Sequence, residues 1–218
     1  MLYNKLDETA EGVYIISATP FKDSGELDLE STKKLVDFYL EKGVDGITVL
    51  GVMGEAPKLT IEESKLFLNT VLKQVNQRVP IIVGVSNPGI DNLIDLSNFS
   101  MDNDAAGVMI APPPGIGTEE KLYNYLTNIL DKLDDRIPVC YQDYPFFTKS
   151  EISVATFNKI IEEYDQVVMF KHEEWPGLNK LSKLRKHSDN GDTRRVSVLT
   201  GNGGLFLPQE MQKQFLTN

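Results

Sequence analysis

Short apolar runs recur along the chain at intervals of roughly 30 residues, which is the length of one β-α-β unit. The runs are rich in Val and Ile and are continuously apolar, without alternating polar positions. Continuous apolar runs are typical of parallel strands that are covered on both faces. Seven strands are therefore predicted, at residues 13–17, 47–50, 81–85, 108–111, 139–141, 167–170 and 196–199.

Between these runs, apolar residues follow the i, i+3, i+4, i+7 spacing of an amphipathic helix. The helix that follows the second strand is predicted to begin at Thr60, because the Thr60 hydroxyl and the Glu63 carboxylate can form a capping box. Strands that alternate with one-sided helices predict an α/β fold. The clearest two stripes are Leu68, Val71, Leu72 and Val75, and Leu122, Tyr125, Leu126 and Ile129.

The strand spacing favours a TIM (β/α)₈-type barrel over an open doubly wound sheet. The first strand is not followed by the G-x-G-x-x-G loop of a dinucleotide-binding sheet. Polar or Gly-rich segments follow the strands instead, and in a barrel these segments meet at the carboxyl face, where catalysis takes place. The segments are 19–20, 51–55, 86–88, 142–145, 171–174 and 200–204.

Composition narrows the classes of partner. The chain has 218 residues and a formal net charge of −10, which argues against nucleic acid or an anionic membrane as a partner. Its one cysteine, Cys140, excludes an internal disulfide framework, and the first residues lack the order of a signal peptide. No apolar run reaches the roughly 18 residues of a membrane span. We therefore expect a cytoplasmic protein.

Lys171 is the strongest candidate for chemistry, because it ends the apolar run 167–170 and would stand at the barrel mouth. Burial disfavours the charged form of an amine, and the neutral amine is the nucleophile that condenses with a ketone. A strand-end lysine that only reaches solvent is the plainer interpretation. His172 follows directly, so it should face the helix layer and serve packing.

Three segments together resemble the dihydrodipicolinate synthase and N-acetylneuraminate lyase family of class I, pyruvate-type lyases. Residues 17–63 contain T-P-F, an acidic hairpin and a G-x-x-G-E turn before the capping box, and this turn is the most specific feature. VMFKHEE (168–174) is similar to the family strand that carries the Schiff-base lysine, and SVLTGNGGLFLP (197–208) to its seventh strand. The resemblance implies that Lys171 forms a Schiff base.

The chain departs from the family at several site positions. Val52 and Met53 replace the paired hydroxyl residues of G-x-x-G-E, and Gln142 replaces the proton-shuttling tyrosine of the fifth strand. Tyr141 and Tyr144 flank Gln142, and both point away if Gln142 points inward, unless a bulge re-aims one of them. The synthase's arginine after the proline is also absent, since residues 146–148 read Phe-Phe-Thr. Dihydrodipicolinate synthesis is therefore not expected.

The resemblance implies a class I lyase or aldolase that acts on a 2-oxo acid such as pyruvate or a 2-keto-3-deoxy sugar acid, without a cofactor. Tyr144, or else Tyr141, would relay protons. A Schiff-base dehydratase of the same family and a non-catalytic small-acid-binding relative remain alternatives. The residues expected to contact the substrate are Gly51, Val52, Met53, Gly54, Glu55, Gln142, Gly201 and Asn202.

Two expectations concern metal and completeness. Glu55, Asp143, Glu173 and Glu174 all follow strands, yet solvated loop carboxylates are the preferred interpretation, so no metal site is predicted. Residues 1–218 are expected to form one TIM-barrel domain without the eighth βα unit or the C-terminal helical extension. Residues 209–218 are expected to be a tail unlike the family. We also expect a homo-oligomer.

Overall fold

The fold is built on one sheet of seven parallel strands that pair in sequential order. A computed structural model of the protein describes residues 5–201. Asn202 and the predicted tail at 209–218 lie outside these residues. The strands are β1 (Tyr14–Ile16), β2 (Gly46–Val49), β3 (Ile81–Gly84), β4 (Gly107–Ile110), β5 (Val139–Asp143), β6 (Val167–His172) and β7 (Ser197–Thr200).

Helices alternate with the strands and supply the outer layer. The predicted capping box is confirmed, because Glu63 N–H donates to the Thr60 hydroxyl and Thr60 N–H donates to the Glu63 carboxylate. The helices are α1 (Leu29–Glu41), α2 (Ile61–Val75), α3 (Ile90–Asp102), α4 (Glu119–Leu130), α5 (Pro145–Thr148), α6 (Val154–Glu163) and α7 (Leu178–Asp189), and a 3₁₀ turn spans Ala56–Lys58.

This curled, parallel β/α sheet confirms the predicted TIM-type architecture. Within residues 5–201 there is no eighth strand, and β1 and β7 each pair with a single neighbour. Near the amino ends of the strands the two edges are linked, because the Ser197 hydroxyl donates to the Ala10 carbonyl at 2.6 Å. Beyond this contact no backbone pairing joins β1 to β7, so the barrel wall is open between them across the described part of the chain.

Strand alternation divides the core into two layers. The outer layer lies between sheet and helices and contains the larger cluster, with strand residues such as Ile47 and Val108 packed against helix residues such as Phe67. The inner layer is smaller and fills the barrel from its lower end, where Leu6 N–H donates to the Ala106 carbonyl. The inner cluster consists of Leu6, Ile82, Ala106, Met109, Cys140, Val168 and Met169.

Strands β5 and β6 each run two residues beyond the apolar runs that predicted them. Backbone pairing continues through the polar residues, with Gln142 opposite Lys171 and Asp143 opposite His172. Cys140, two residues before Gln142, belongs to the inner cluster, so Gln142 and Lys171 share the inner face. The strand extensions therefore place polar groups inside the barrel.

The carboxyl end of β2 turns closely over β3. Gly84 has no room for a Cβ atom, which would overlap the backbone carbonyl of Leu50. Leu50 itself has a positive φ of 54°, although it is a buried residue with a branched side chain. This close approach brings the turn after β2 over the top of the barrel.

Candidate active site

Lys171 lies inside the barrel near the carboxyl end of β6, where it is only 3% exposed. Its Nζ atom is 3.4 Å from Oε2 of Glu173. Leu199 of β7 lies beside it in register. The side chain is therefore an amine in a mostly apolar interior with one carboxylate at hand, which is an arrangement suited to nucleophilic chemistry.

Glu173 is held in place by groups from two other segments, the end of β5 and the residue after β7. The Gln142 side-chain amide donates to Glu173 Oε2 at 2.5 Å, and Glu173 N–H donates to the Asp143 carbonyl at 2.9 Å. Gly201 closes over the side chain, since a Cβ atom at position 201 would overlap Glu173 Cγ. The sequence pattern indicated a solvated loop carboxylate at Glu173 and did not predict its contact with Lys171.

A cavity of about 970 Å³ opens between β1 and β7 and reaches Lys171. Lys171, Glu173 and Gly201 line its carboxyl end together with Met53. Tyr14 lines it too, next to Asp7 and Asp45, and burial followed by the charges of Asp45 and Asp7 raises the Tyr14 pKa. The volume is within the range of small-molecule sites, about 300–1,000 Å³.

Neither of the two candidate tyrosines is among the described residues that line the cavity beside Lys171. Tyr141 is on the outer face of β5, with its ring stacked 6.0 Å from the ring of Phe170. Burial raises the Tyr141 pKa well above 10, and the charge of Asp143 adds to the shift. Tyr144 stacks on Phe147 at 6.0 Å, beside α5. Alternation accounts for Tyr141, because Gln142 takes the inward position. Alternation does not account for Tyr144, which lies two residues after Gln142 and follows the end of β5.

The turn at residues 51–55 is anchored to the first loop, since the Thr19 hydroxyl donates to the Gly54 carbonyl at 2.6 Å. Gly51 and Gly54 are buried, whereas Val52 is partly exposed and Met53 is 57% exposed where it lines the cavity. Glu55 forms an ion pair with Lys58 on the surface. The Glu55 carboxylate is therefore paired with Lys58 rather than with Lys171. The backbone N–H groups of residues 51–54 remain the candidate binding site for a substrate carboxylate.

A second polar cluster lies behind the same two strand ends. As predicted, His172 faces the helix layer, where it is fully buried and stacks on Phe170. Lys180 of α7 reaches Asp143 Oδ2 at 3.0 Å and Glu174 Oε2 at 2.5 Å. Gly177 packs on the imidazole, since a Cβ atom there would overlap His172.

Burial is the largest single influence on the pKa of Asp143, His172 and Lys180. It raises the pKa of Asp143 to about 6, although Lys180 opposes the shift. It lowers the pKa of His172, and the charge of Lys180 lowers it further. Burial also disfavours the charged form of Lys180, but the carboxylates of Asp143 and Glu174 outweigh this effect and raise its pKa.

Asp143, His172 and Glu174 offer ligand atoms within 4.8 Å of one another, and they are the one such group of three among the described residues. The Lys180 ammonium already contacts both carboxylates, so a metal ion would have to compete with it. Glu173 lies on the opposite face, beside Lys171. The four loop carboxylates therefore do not converge on one metal site.

Comparison with known proteins identifies the family. The sequence model of the dihydrodipicolinate synthetase family matches residues 9–208. The chain belongs to this family. A 4-hydroxy-tetrahydrodipicolinate synthase of Aquifex aeolicus is 30% identical over 199 residues, covering 91% of this chain and 65% of that protein. A synthase of the same name from Methanosphaera stadtmanae is 32% identical, covering 93% of this chain and 67% of the relative.

Solved structures of family members share the fold. The dihydrodipicolinate synthase from Rhodopseudomonas palustris superposes with a TM-score of 0.92 at 41% identity, covering 96% of this chain and 69% of that one. A monomeric variant of dihydrodipicolinate synthase, characterised as the first of its kind, superposes with a TM-score of 0.79 at 28% identity, covering 89% and 64%. The chain thus spans about two thirds of the length of the family members it matches.

None of the helices within residues 5–201 combines the length and the apolar character that a membrane span requires.

Proposed function

We propose that the protein is a class I, Schiff-base lyase or aldolase that acts on a 2-oxo acid. The observation that carries the proposal is the buried Lys171 amine, which faces the interior of a barrel of this family and is accompanied by a carboxylate. The family members named above are synthases, which supports carbon–carbon bond chemistry. Lys171 would attack the keto carbon, and water would leave to give an iminium ion.

The iminium ion accepts electrons from the neighbouring carbon, so the C3–C4 bond can be cleaved or formed without a cofactor. The substrate carboxylate would be bound by backbone N–H groups of the turn at Gly51–Gly54, since Val52 and Met53 offer no hydroxyl. Phe146 and Phe147 follow Pro145, so no arginine there holds a second carboxylate. Cleavage or formation of a 2-keto-3-deoxy sugar acid, with pyruvate as the 2-oxo acid on Lys171, therefore fits the proposal better than condensation of pyruvate with aspartate semialdehyde.

Two alternatives use the same site. A Schiff-base dehydratase would remove a proton from C3 and expel the C4 hydroxyl as water, and so leave the carbon chain intact. A non-catalytic relative would bind a small acid at the turn. The absence of hydroxyl side chains at Val52 and Met53 favours this alternative. Product analysis distinguishes the first, because a lyase splits the substrate into pyruvate and an aldehyde, whereas a dehydratase yields one product with all the carbon atoms. Covalent trapping distinguishes the second.

Borohydride trapping tests the proposal. The protein is incubated with pyruvate, 2-oxobutyrate or a 2-keto-3-deoxy sugar acid, reduced, and analysed by intact mass and peptide mapping. We expect one adduct on the peptide that contains Lys171, and none in Lys171→Ala. Lys149→Ala, which replaces an exposed lysine after α5, is the matched control and should be trapped normally. Adduct formation that persists in Lys171→Ala refutes the assignment.

We further propose that the protein acts in the cytoplasm as a homo-oligomer. The single Cys140 is buried, and burial raises its pKa to about 12, which suits a structural thiol in a reducing compartment. A monomeric synthase was characterised as the first of its kind, which supports association among relatives. Light scattering at several protein concentrations tests the oligomer.

A further inference from the structure

We propose that Glu173 is the proton-transfer group of the active site, and that it performs the role for which the fifth strand offers no tyrosine. The inference deepens the proposed function and rests on it, because it concerns the same Lys171. Its basis is the 3.4 Å approach of the Glu173 carboxylate to Lys171 Nζ inside the cavity.

Neighbouring residues hold the Glu173 side chain in one position. Its backbone N–H is bonded to Asp143, its carboxylate accepts from the Gln142 amide, and Gly201 packs on its Cγ. It is 9% exposed, so the carboxylate is largely removed from water. Together these contacts fix the carboxylate beside the Lys171 amine.

Other groups within the described residues are less suited to this role. The hydroxyl of Tyr141 is buried on the far side of β5 and has no hydrogen-bond partner there. Tyr14 lines the cavity from the amino end of β1, where it is paired in register with Gly46, whereas Lys171 lies near the carboxyl end of β6. The Cys140 thiol, with its pKa near 12, is a weak acid.

The steps balance with Glu173 as the single relay. Its carboxylate first takes a proton from the Lys171 ammonium, and the neutral amine adds to the keto carbon of the substrate. After a proton has moved from nitrogen to the former keto oxygen, the carboxylic acid of Glu173 protonates that hydroxyl, which leaves as water. The carboxylate then removes a C3 proton from the iminium ion and yields the enamine and the acid form of Glu173.

Hydrogen–deuterium exchange at C3 of pyruvate isolates this step from the unknown second substrate. The protein is incubated with pyruvate in D₂O, and loss of the methyl signal is followed by proton NMR. We expect exchange with the wild-type protein and none with Lys171→Ala. Glu173→Gln should still be trapped by borohydride after long incubation but should exchange about 10²–10⁴-fold more slowly.

Three further variants make the test specific. Glu173→Asp keeps a carboxylate and should recover part of the exchange rate. Glu174→Gln, which alters the adjacent carboxylate on the Lys180 side, is the matched control and should exchange within about twofold of wild type. Gln142→Met removes the amide that donates to Glu173, and should slow exchange while trapping persists.

The outcomes separate the inference from the proposed function. If Glu173→Gln is trapped on Lys171 and exchanges at the wild-type rate, Glu173 is not the relay, and the Schiff-base function stands. If Glu174→Gln loses as much exchange as Glu173→Gln, the effect is one of general charge, and the assignment is also overturned. If the wild-type protein forms no adduct with the 2-oxo acid panel, the proposed function fails, and the relay fails with it.

Discussion

Gln142 on β5 and Lys171 on β6 lie opposite each other in register, and both side chains enter the barrel. Their next neighbours, Asp143 and His172, also lie opposite each other but face the helices. Two adjacent strands therefore carry polar groups on both faces at the same height. Both members of the inner pair contact Glu173, and Lys171 lines the cavity, whereas Asp143 of the outer pair contacts Lys180 of α7.

Tyr141 packs on Phe170 at the outer face of β5 and Tyr144 stacks on Phe147, which predicts that both tyrosines are dispensable for proton transfer. Tyr141→Phe removes a buried hydroxyl without a partner among the described residues, so the free energy of unfolding should stay within about 1 kcal/mol of wild type or increase. Tyr144→Phe should be equally mild. Pyruvate exchange and borohydride trapping should be unchanged in both. A loss of exchange by 100-fold in either variant would restore that tyrosine as the relay.

Gly201 controls the position of Glu173, which predicts the effect of one added methyl group. Gly201→Ala places its Cβ on Glu173 Cγ, so the carboxylate must shift away from Lys171. We expect a loss of about 1–3 kcal/mol in stability by chemical denaturation and a marked loss of pyruvate exchange. Gly117→Ala is the matched control, because a Cβ atom there meets nothing within 4 Å. Normal exchange in Gly201→Ala would contradict this packing argument.

The sequence was sufficient for the elements that depend on local pattern. Continuous apolar runs predicted the seven strands, and Thr60 with Glu63 predicted the start of α2. Strand alternation predicted that the His172 side chain faces the helix layer, on the opposite side of the sheet from Lys171. These features follow from residue spacing within one segment, and spacing is visible in a single sequence.

The contacts of Glu173 could not be predicted in the same way. Glu173 follows the last residue of β6, so alternation no longer fixes its direction, and its position depends on Asp143, Gln142 and Gly201 from other segments. The cluster of Asp143 with Lys180 likewise joins β5 to α7, 37 residues later. Contacts of this kind depend on how segments that are distant in sequence pack together. The spacing of residues in a single sequence does not reveal this packing.

Lys180 pairs with the buried carboxylate of Asp143 and the partly buried carboxylate of Glu174, so its removal should be costly in a pH-dependent manner. Lys180→Met leaves Asp143 and Glu174 without their cation, and should cost about 3–5 kcal/mol of unfolding free energy at pH 7. Lys183→Met, which replaces an exposed lysine of the same helix, should cost little. Urea denaturation at both pH 7 and pH 5 measures the difference.

The sign of the pH effect follows from Asp143. Its folded pKa of about 6 lies above the ordinary 3.8, so this carboxyl favours the folded state most at low pH, and the contribution is lost as pH rises through about 6. At pH 5 the Asp143 carboxyl is largely protonated and neutral, so it loses little when the positive charge of Lys180 is removed. The cost of Lys180→Met should therefore be smaller at pH 5 than at pH 7, and a larger cost at pH 5 would contradict this account.

The open wall between β1 and β7 predicts uneven protection of backbone amides. Ser17 N–H donates to Thr48 of β2, so the amide of Ile16 points away from β2, and by the same alternation the amide of Val198 points away from β6. Within residues 5–201 no strand lies on those sides, whereas β4 is paired on both edges. Native-state hydrogen exchange should thus be at least about tenfold faster at Ile16 and Val198 than at Val108, whose N–H donates to Pro138. Equal protection at all three amides would show that another chain, or a further segment of this one, pairs with the open edges. Dilution separates these outcomes, since protection supplied by a second chain is lost as the protein concentration falls.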